Sequence, residues 1–371
     1  MKLKLLESLR CPSCRSMLHL TNPVLEQFQR LSEVVPPLCQ ETCPFPELTG
    51  IPRDCVRCHQ YEVVAGSLAC RECGTLYPIE GGIPHCLVSL TQDSRKRTAS
   101  SYSYLWKQSS GSREDRDPPI YHFDHIQESL LLEAPKGLVL DAGCGGGIDL
   151  AHQASRQGVE AIGVDLSDGG CQASFRRTWE LPTAHVVQAD LSRLPFEDET
   201  FDVVYSYGVL HHLESPEGGL RELVRVVKSG GQLAVYLYED FGERAAGWRW
   251  LLAIVNYIRH LTPRIPHRIL YRFCQFAAPV VYLIFTVPSK VLRHVRWLRS
   301  FAESLPFRHG AGPFSLAGDL YDRFSTPIER RYSRSGALQF LAAGGLQDVV
   351  IAYERGWMVA GRKPGSLVHA S

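Results

Sequence analysis

The sequence predicts an α/β chain: a doubly wound parallel sheet with a long helical insertion, preceded by a small cysteine-rich domain. Three observations predict it. From 136 to 238, short apolar runs alternate with helical stretches. Nine of the twelve cysteines fall before residue 90. Residues 241–335 then interrupt the alternation with a cationic, helical stretch. A chain of 371 residues suits two or three domains. With 44% hydrophobic and 21% charged residues, it has enough apolar surface to exclude a mainly disordered chain. The net charge, 40 − 39 = +1, gives no global field directed at nucleic acid.

The cysteine-rich domain is expected over 1–90. Its regular pairs are Cys11/Cys14, Cys55/Cys58 and Cys70/Cys73, each with two residues between. That spacing puts two thiolates on one tight turn, which is half of a tetrahedral zinc site. Cys11, Cys14, Cys70 and Cys73 are the expected ligands of one zinc, completing a zinc ribbon. Cys39, Cys43, Cys55 and Cys58 are candidates for a second. The segment LYPIEGGIPHCL (76–87) reads as a strand, a Gly-Gly turn and an extended exit.

Residues 91–118 are Ser-rich, polar and charged, so they read as a linker, although Tyr102, Tyr104 and Trp106 are apolar for a loop. A helical segment follows and ends before Pro135, so 91–135 is expected as linker plus helix. Then come five strands, GLVLDAG, EAIGVD, HVVQAD, FDVVYS and QLAVYLYE, with helices between them. After the insertion, the chain closes with a helix near SGALQFLAAGG and strands QDVVIAYE and GWMVAGRK. The sheet domain is therefore expected over 136–240 and 336–371.

A glycine loop, Asp141-Ala-Gly143-Cys-Gly145-Gly-Gly147, leaves the first strand and opens a helix. Glycine there lets backbone amides approach a ligand. Asp165 ends the second strand, 24 residues after Asp141, where a carboxylate can accept two ribose hydroxyls. Asp190 ends the third strand, where an acid can receive an adenine amine. The loop lacks the helix-packing glycine of the dinucleotide fingerprint, which favours a nucleoside without a pyrophosphate.

The motifs VLDAGCGGG, GVDLS, QADLSRLPFEDETFDVVYSYGVLHHL and ELVRVVKSGGQLAVYLYE resemble the class I S-adenosylmethionine-dependent methyltransferases of the type 11 kind, in order and spacing over about 100 residues. The resemblance implies a Rossmann-like seven-stranded sheet with its last strand antiparallel, and S-adenosylmethionine as cofactor. It implies that Asp141, Gly143 and Gly145 face the methionine part. It places Asp165 with Leu166 at the ribose, Asp190 with Leu191 at adenine, and Ser206, Tyr207 and His211 near the sulfonium. LLESLRCPSC and CRECGTLYPIEGGIP resemble the Trm112-like zinc-ribbon family at the two ends of the cysteine-rich domain.

The segment after the fourth strand, Ser206-Tyr-Gly-Val-Leu-His-His, lacks the Asn/Asp-Pro-Pro-Tyr pattern of enzymes that methylate amide or base nitrogens. The expected acceptor is a small molecule or a glycan or lipid-linked intermediate, methylated at oxygen. His211 or His212 is the candidate base and Asp240 the candidate orienting carboxylate. Two alternatives stand beside it: an RNA or protein methyltransferase that grips substrate through the zinc module, and a non-catalytic cofactor-binding adaptor. The insertion at 241–310 holds eleven cations against two anions and an apolar run at 273–287. It is expected as a lid packed over the site, with an anionic amphiphile or a membrane surface as the alternatives its cations and apolar run suit. That run is too short and Pro-broken for a span, and no signal-peptide core opens the sequence, so the expected location is cytoplasmic, with membrane association through the insertion.

Overall fold

The computed structural model describes residues 1–28, 44–52, 54–88, 92–109, 121–244, 246–307 and 313–365. One sheet of eleven strands runs through them. The cysteine-rich end supplies β1 (Leu18–Gln27), β2 (Tyr61–Cys70), β3 (Leu76–Glu80) and β4 (Ile83–Cys86). The alternating region supplies β5 (Gly137–Ala142), β6 (Val159–Asp165), β7 (Ala184–Ala189), β8 (Phe201–Tyr207) and β9 (Val227–Tyr238). The last two are β10 (Gln347–Tyr353) and β11 (Gly356–Arg362). The spatial order is β1-β2-β3-β4-β7-β6-β5-β8-β9-β11-β10. Its final seven members form the expected seven-stranded sheet, parallel through β5–β9 with β11 antiparallel beside β9.

The helices, in chain order, begin with α1 (Phe45–Thr49), α2 (Cys55–Cys58), α3 (Asp93–Ser109) and α4 (His122–Leu130). Next are α5 (Ile148–Ala154), α6 (Asp168–Thr178) and α7 (Pro216–Val226). The insertion folds as α8 (Ala246–Arg259), α9 (His267–Val281), α10 (Val287–Leu292), α11 (Arg299–Ser304) and α12 (Pro313–Ser325), and α13 (Arg334–Ala343) follows. Strands covered on both faces must be apolar on both, and β7 is buried at every residue. Leu220, Leu223 and Leu341 pack one face of the sheet; Phe123, Ile126 and Leu150 pack the other.

The cysteine-rich module continues the sheet. β4 pairs parallel with β7 (His85↔Gln188, Cys86↔Ala189). The Lys2 ammonium donates to the Ala184 carbonyl at 2.8 Å, and the Arg10 amide to the Pro195 carbonyl at 2.8 Å. Leu3, Leu9, Val63 and Leu68 share one apolar core with Phe196 and Phe201. Module and sheet therefore have a common interior.

Two sequence expectations change. Within the expected linker over 91–118, of which 91 and 110–118 lie outside the described residues, Asp93–Ser109 form a 17-residue helix. Its many polar residues line the outer side, while Ser101 and Leu105, four apart, are buried; composition alone reads such a helix as a loop. The apolar run at 273–287 is likewise longer than expected. His267–Leu292 is one continuous helical stretch of 26 residues with mean hydropathy up to 1.5, long and apolar enough to cross a membrane by length and composition. Pro279 lies inside α9 without ending it, and a π-helical turn at Tyr282–Thr286 joins α9 to α10.

Candidate active site and metal centre

β5 delivers the glycine loop to the carboxyl edge of the sheet, where open α/β sheets bind ligands. Gly143 (φ +103°) and Gly145 (φ +48°) sit in the left-handed region, and a Cβ on either would collide with Val209 or Trp106 respectively. Asp165 closes the loop from β6. Its Oδ2 accepts the Gly145 amide at 2.9 Å, and its Oδ1 accepts the Ser167 amide and hydroxyl at 2.7 and 2.6 Å. Burial pushes its carboxyl up. Burial also pushes Asp141 well up, with the charges of Asp149 and Asp165 adding to it. Asp149 bonds His122 Nδ1 at 3.0 Å and the Phe123 amide at 2.9 Å. Three acids thus converge on one glycine loop. Their mutual repulsion is relieved by a cationic ligand and worsened by a pyrophosphate.

The other predicted cofactor residues stand on the same edge. Asp190 Oδ1 accepts the Ser192 amide and hydroxyl at 2.8 and 2.7 Å, and its Oδ2 pairs with Arg95 at 3.1 Å. Leu191 is buried beside it. The Leu166 carbonyl accepts from Gln188 Nε2 at 2.9 Å. The buried Ser206 hydroxyl donates to the Ala142 carbonyl at 2.8 Å and ties β8 to β5. Sequence reasoning missed α3 as the roof of this cleft. Trp106 lies against Gly145 and Gly146, the Ser103 hydroxyl accepts the Gly169 amide at 3.0 Å, and Arg95 holds Asp190. The available signal was the aromatic trio at 102, 104 and 106.

Beyond the roof, a turn of 3-10 helix after β8 carries His211 and His212. His211 is fully buried and, among the described residues, neither ring nitrogen has a hydrogen-bond partner. Its ring lies 3.9 Å from Tyr238 and 4.3 Å from His212. Burial first, then His212 and the cations Arg331, Arg259 and Arg323, hold its pKa well below the ordinary histidine value. His212 donates Nδ1–H to the Ile328 carbonyl at 2.7 Å and meets the Tyr102 ring edge-on at 6.0 Å. Asp240 makes no hydrogen bond to the pair among the described residues: its Oδ1 accepts the Gly242 amide at 2.8 Å and closes the turn after β9. The carboxylates whose charge reaches His212 are Asp322 and Glu329. Glu329 is engaged by Arg259 at 2.8 Å and Arg331 at 2.6 Å. Arg323 has no carboxylate partner among the described residues; its guanidinium lies 5.9 Å from the Tyr238 ring and 6.0 Å from Phe307.

At the module's end, Cys11, Cys14, Cys70 and Cys73 bring all four Sγ atoms within 4.8 Å of one another. Cys11 and Cys73 are 3.6 Å apart, and Cys14 and Cys70 3.4 Å. Zinc–sulfur bonds of about 2.3 Å in a tetrahedron give edges of about 3.8 Å, so the donor set fits zinc. The Thr75 hydroxyl and amide bring the Cys73 thiol down to about 6, toward the thiolate that a metal needs. Cys55 and Cys58 lie on α2 and join no such cluster among the described residues; Cys39 and Cys43 lie outside them.

Residues 140–235 match the family model described as a methyltransferase domain, and residues 2–82 the one described as Trm112p-like protein. The chain therefore joins a stretch similar to the Trm112p-like model to one similar to the methyltransferase-domain model. The methyltransferase match spans Asp141 through the histidine pair, whereas Trp106, Asp322 and Arg323 lie outside both matched stretches. Three relatives illustrate the range. An uncharacterized 37.1 kDa protein from a Streptomyces fradiae transposon is 34% identical over 145 residues, 37% of this chain and 41% of that one. A ubiquinone biosynthesis O-methyltransferase of Sodalis glossinidius is 28% identical over 159 residues, 41% and 61% of the two chains. A Mus musculus protein named "Probable tRNA methyltransferase 9B" is 33% identical over 116 residues, 30% and 24%. The chain thus spans less than two thirds of the length of each of these curated relatives. Among solved structures, a Haloferax volcanii complex containing a Trm112 methyltransferase activator aligns over 74% of this chain and 100% of that one, at 15% identity and a TM-score of 0.40.

Proposed function

We propose that the protein transfers a methyl group from S-adenosylmethionine to an oxygen of a small or lipid-linked acceptor that carries an anionic group. The observation that carries this reading is the pairing of an acid-lined glycine loop with a buried, unpartnered histidine beside it. S-adenosylmethionine supplies a methyl carbon already activated by positive sulfur. Asp141, Gly143 and Gly145 would face its cationic methionine end. Asp165 with Leu166 would hold the ribose, Asp190 with Leu191 the adenine, and Ser206 keeps the loop and β8 in register.

The reaction leaves the protein little to do except align the acceptor and take one proton. With the cofactor and acceptor bound, a ring nitrogen of His211 would take the acceptor's hydroxyl proton as the methyl group is transferred. Burial and the neighbouring cations keep His211 neutral at neutral pH and weaken it as a base, so the anionic group of the acceptor would have to offset those charges. His212 is fixed by its bond to Ile328 and backs the His211 ring. Asp240, bound to its own turn, enters only as a rim residue. Arg323, without a carboxylate, suits an anionic group on the acceptor through its planar fork. The cysteine cluster would hold one structural zinc that clamps the two knuckles of the module.

A second reading, RNA or protein methylation, draws on the Trm112p-like module and the tRNA-methyltransferase relative. The test is incubation with methyl-labelled cofactor and fractionated lysate. Label in the organic-extractable or small-molecule fraction, lost in His211→Ala, is the expected result. Label in a nuclease- or protease-sensitive fraction assigns the second reading. Label in no fraction, with cofactor still bound, leaves the adaptor.

A further inference from the structure

The helical insertion turns a large apolar face outward. Trp250, Tyr257, Phe273, Phe276, Leu283 and Trp297 are between 63% and 80% exposed. On α9 and the π-helical turn that follows it the outward apolar positions are 269, 273, 276, 280 and 283, a single stripe at helical spacing. The opposite stripe, Leu270, Cys274 and Ala278, is buried against Leu316, Leu320 and Tyr321. A helix apolar on both sides has two apolar neighbours, and only one of them is protein.

Charge indicates what the other is. Residues 246–300 contain nine Lys or Arg and no Asp or Glu. Arg249, Arg264, Arg268, Arg272, Arg293 and Arg296 are all exposed, and Arg268 and Arg272 adjoin the stripe positions 269 and 273 on α9. We infer that this face docks on the surface of an anionic lipid bilayer, with the apolar stripe at the acyl boundary and the arginines among the headgroups. Exposed tryptophan and tyrosine side chains suit that boundary. A second copy of the chain is disfavoured as the occupant because it would bring the same uncompensated cations. A membrane span is disfavoured although His267–Leu292 is long enough. The inner stripe is committed to α12, and His267 is stacked on Tyr104 of α3, so lipid cannot surround the helix.

The consequence is positional. α12, on which α9 rests, carries Asp322 and Arg323 at its end, and α3 roofs the glycine loop. Docking through α8–α10 therefore brings the acceptor side of the cleft to the lipid surface. The docking itself does not depend on the methyl-transfer reading.

The test uses the full chain and sedimentation with vesicles of phosphatidylcholine, with and without one-third phosphatidylglycerol. The chain is expected to pellet with the anionic vesicles and be released by high salt. Phe276→Glu with Leu283→Glu, and separately Arg293→Glu with Arg296→Glu, should each lower vesicle affinity at least tenfold. Unchanged cofactor affinity in both variants shows that they fold. No pelleting with anionic vesicles overturns the proposal, as does equal pelleting with both compositions. Resistance of wild-type protein to alkaline carbonate extraction would assign a span instead. A lipid-free dimer split by Phe276→Glu would give the face to a second copy.

Discussion

His211 concentrates the chemistry of the site in one side chain. It is buried, neutral and, among the described residues, without a partner for either ring nitrogen, which is costly unless something else is gained. Because its folded pKa lies below the unfolded value of about 6.5, the unfolded chain takes up the extra proton first as pH falls. Its part of the stability is therefore complete above about pH 6.5 and is lost progressively below it. Thermal melts between pH 8 and 5 should show a shallower decline for His211→Phe than for wild type; identical slopes would contradict the burial argument. At this scale the sequence was informative where chemistry follows chain position. Asp165 and Asp190 were legible because strand ends place them. Asp240 was read as an orienting acid from its place after β9, but a side chain's direction depends on the turn that follows, and here the Gly242 amide captures it.

At the scale of elements, the sheet was legible and the roof was not. Strands buried on both faces leave an unbroken apolar run, so β5 through β9 could be read directly. α3 carries so many serines and basic residues that only its aromatic trio hinted at a buried side, and nothing local announces that Trp106 meets a glycine loop some forty residues later. Arg323 was hidden for the same reason: that Arg259 and Arg331, rather than Arg323, take Glu329 in direct ion pairs is a tertiary fact. The cysteine knuckles were legible because metal geometry fixes their spacing. Cys70 ends β2, and β2 reaches the methyltransferase sheet through β3 and β4. Purified protein should therefore carry about one zinc per chain at this cluster. Chelation or Cys70→Ser should lower the melting temperature of the whole chain in one cooperative transition. A separate low-temperature transition, with the remainder melting as before, would show that the module is energetically detached.

The whole molecule combines three parts around one carboxyl edge. The module extends the sheet beyond β7 and shares its core, α3 closes the cleft, and the insertion stacks on α3 through α12. The family matches cover most of β5–β9 and most of the module, while β10, β11, the roof and the acceptor wall come from segments outside them. This explains why the acceptor could not be read from motifs, since the groups that would recognise it lie on those segments. The central claim is that the acid-lined loop binds S-adenosylmethionine. Losing charge-assisted hydrogen bonds of about 1.5–3 kcal/mol each corresponds to at least tenfold in affinity. The most direct measurement is calorimetric titration of S-adenosylmethionine into wild-type protein and into Asp165→Ala, with circular dichroism to confirm folding. One site per chain, weakened at least tenfold in the folded variant, is the expected result; no binding to wild type, or unchanged affinity in the variant, would contradict the account.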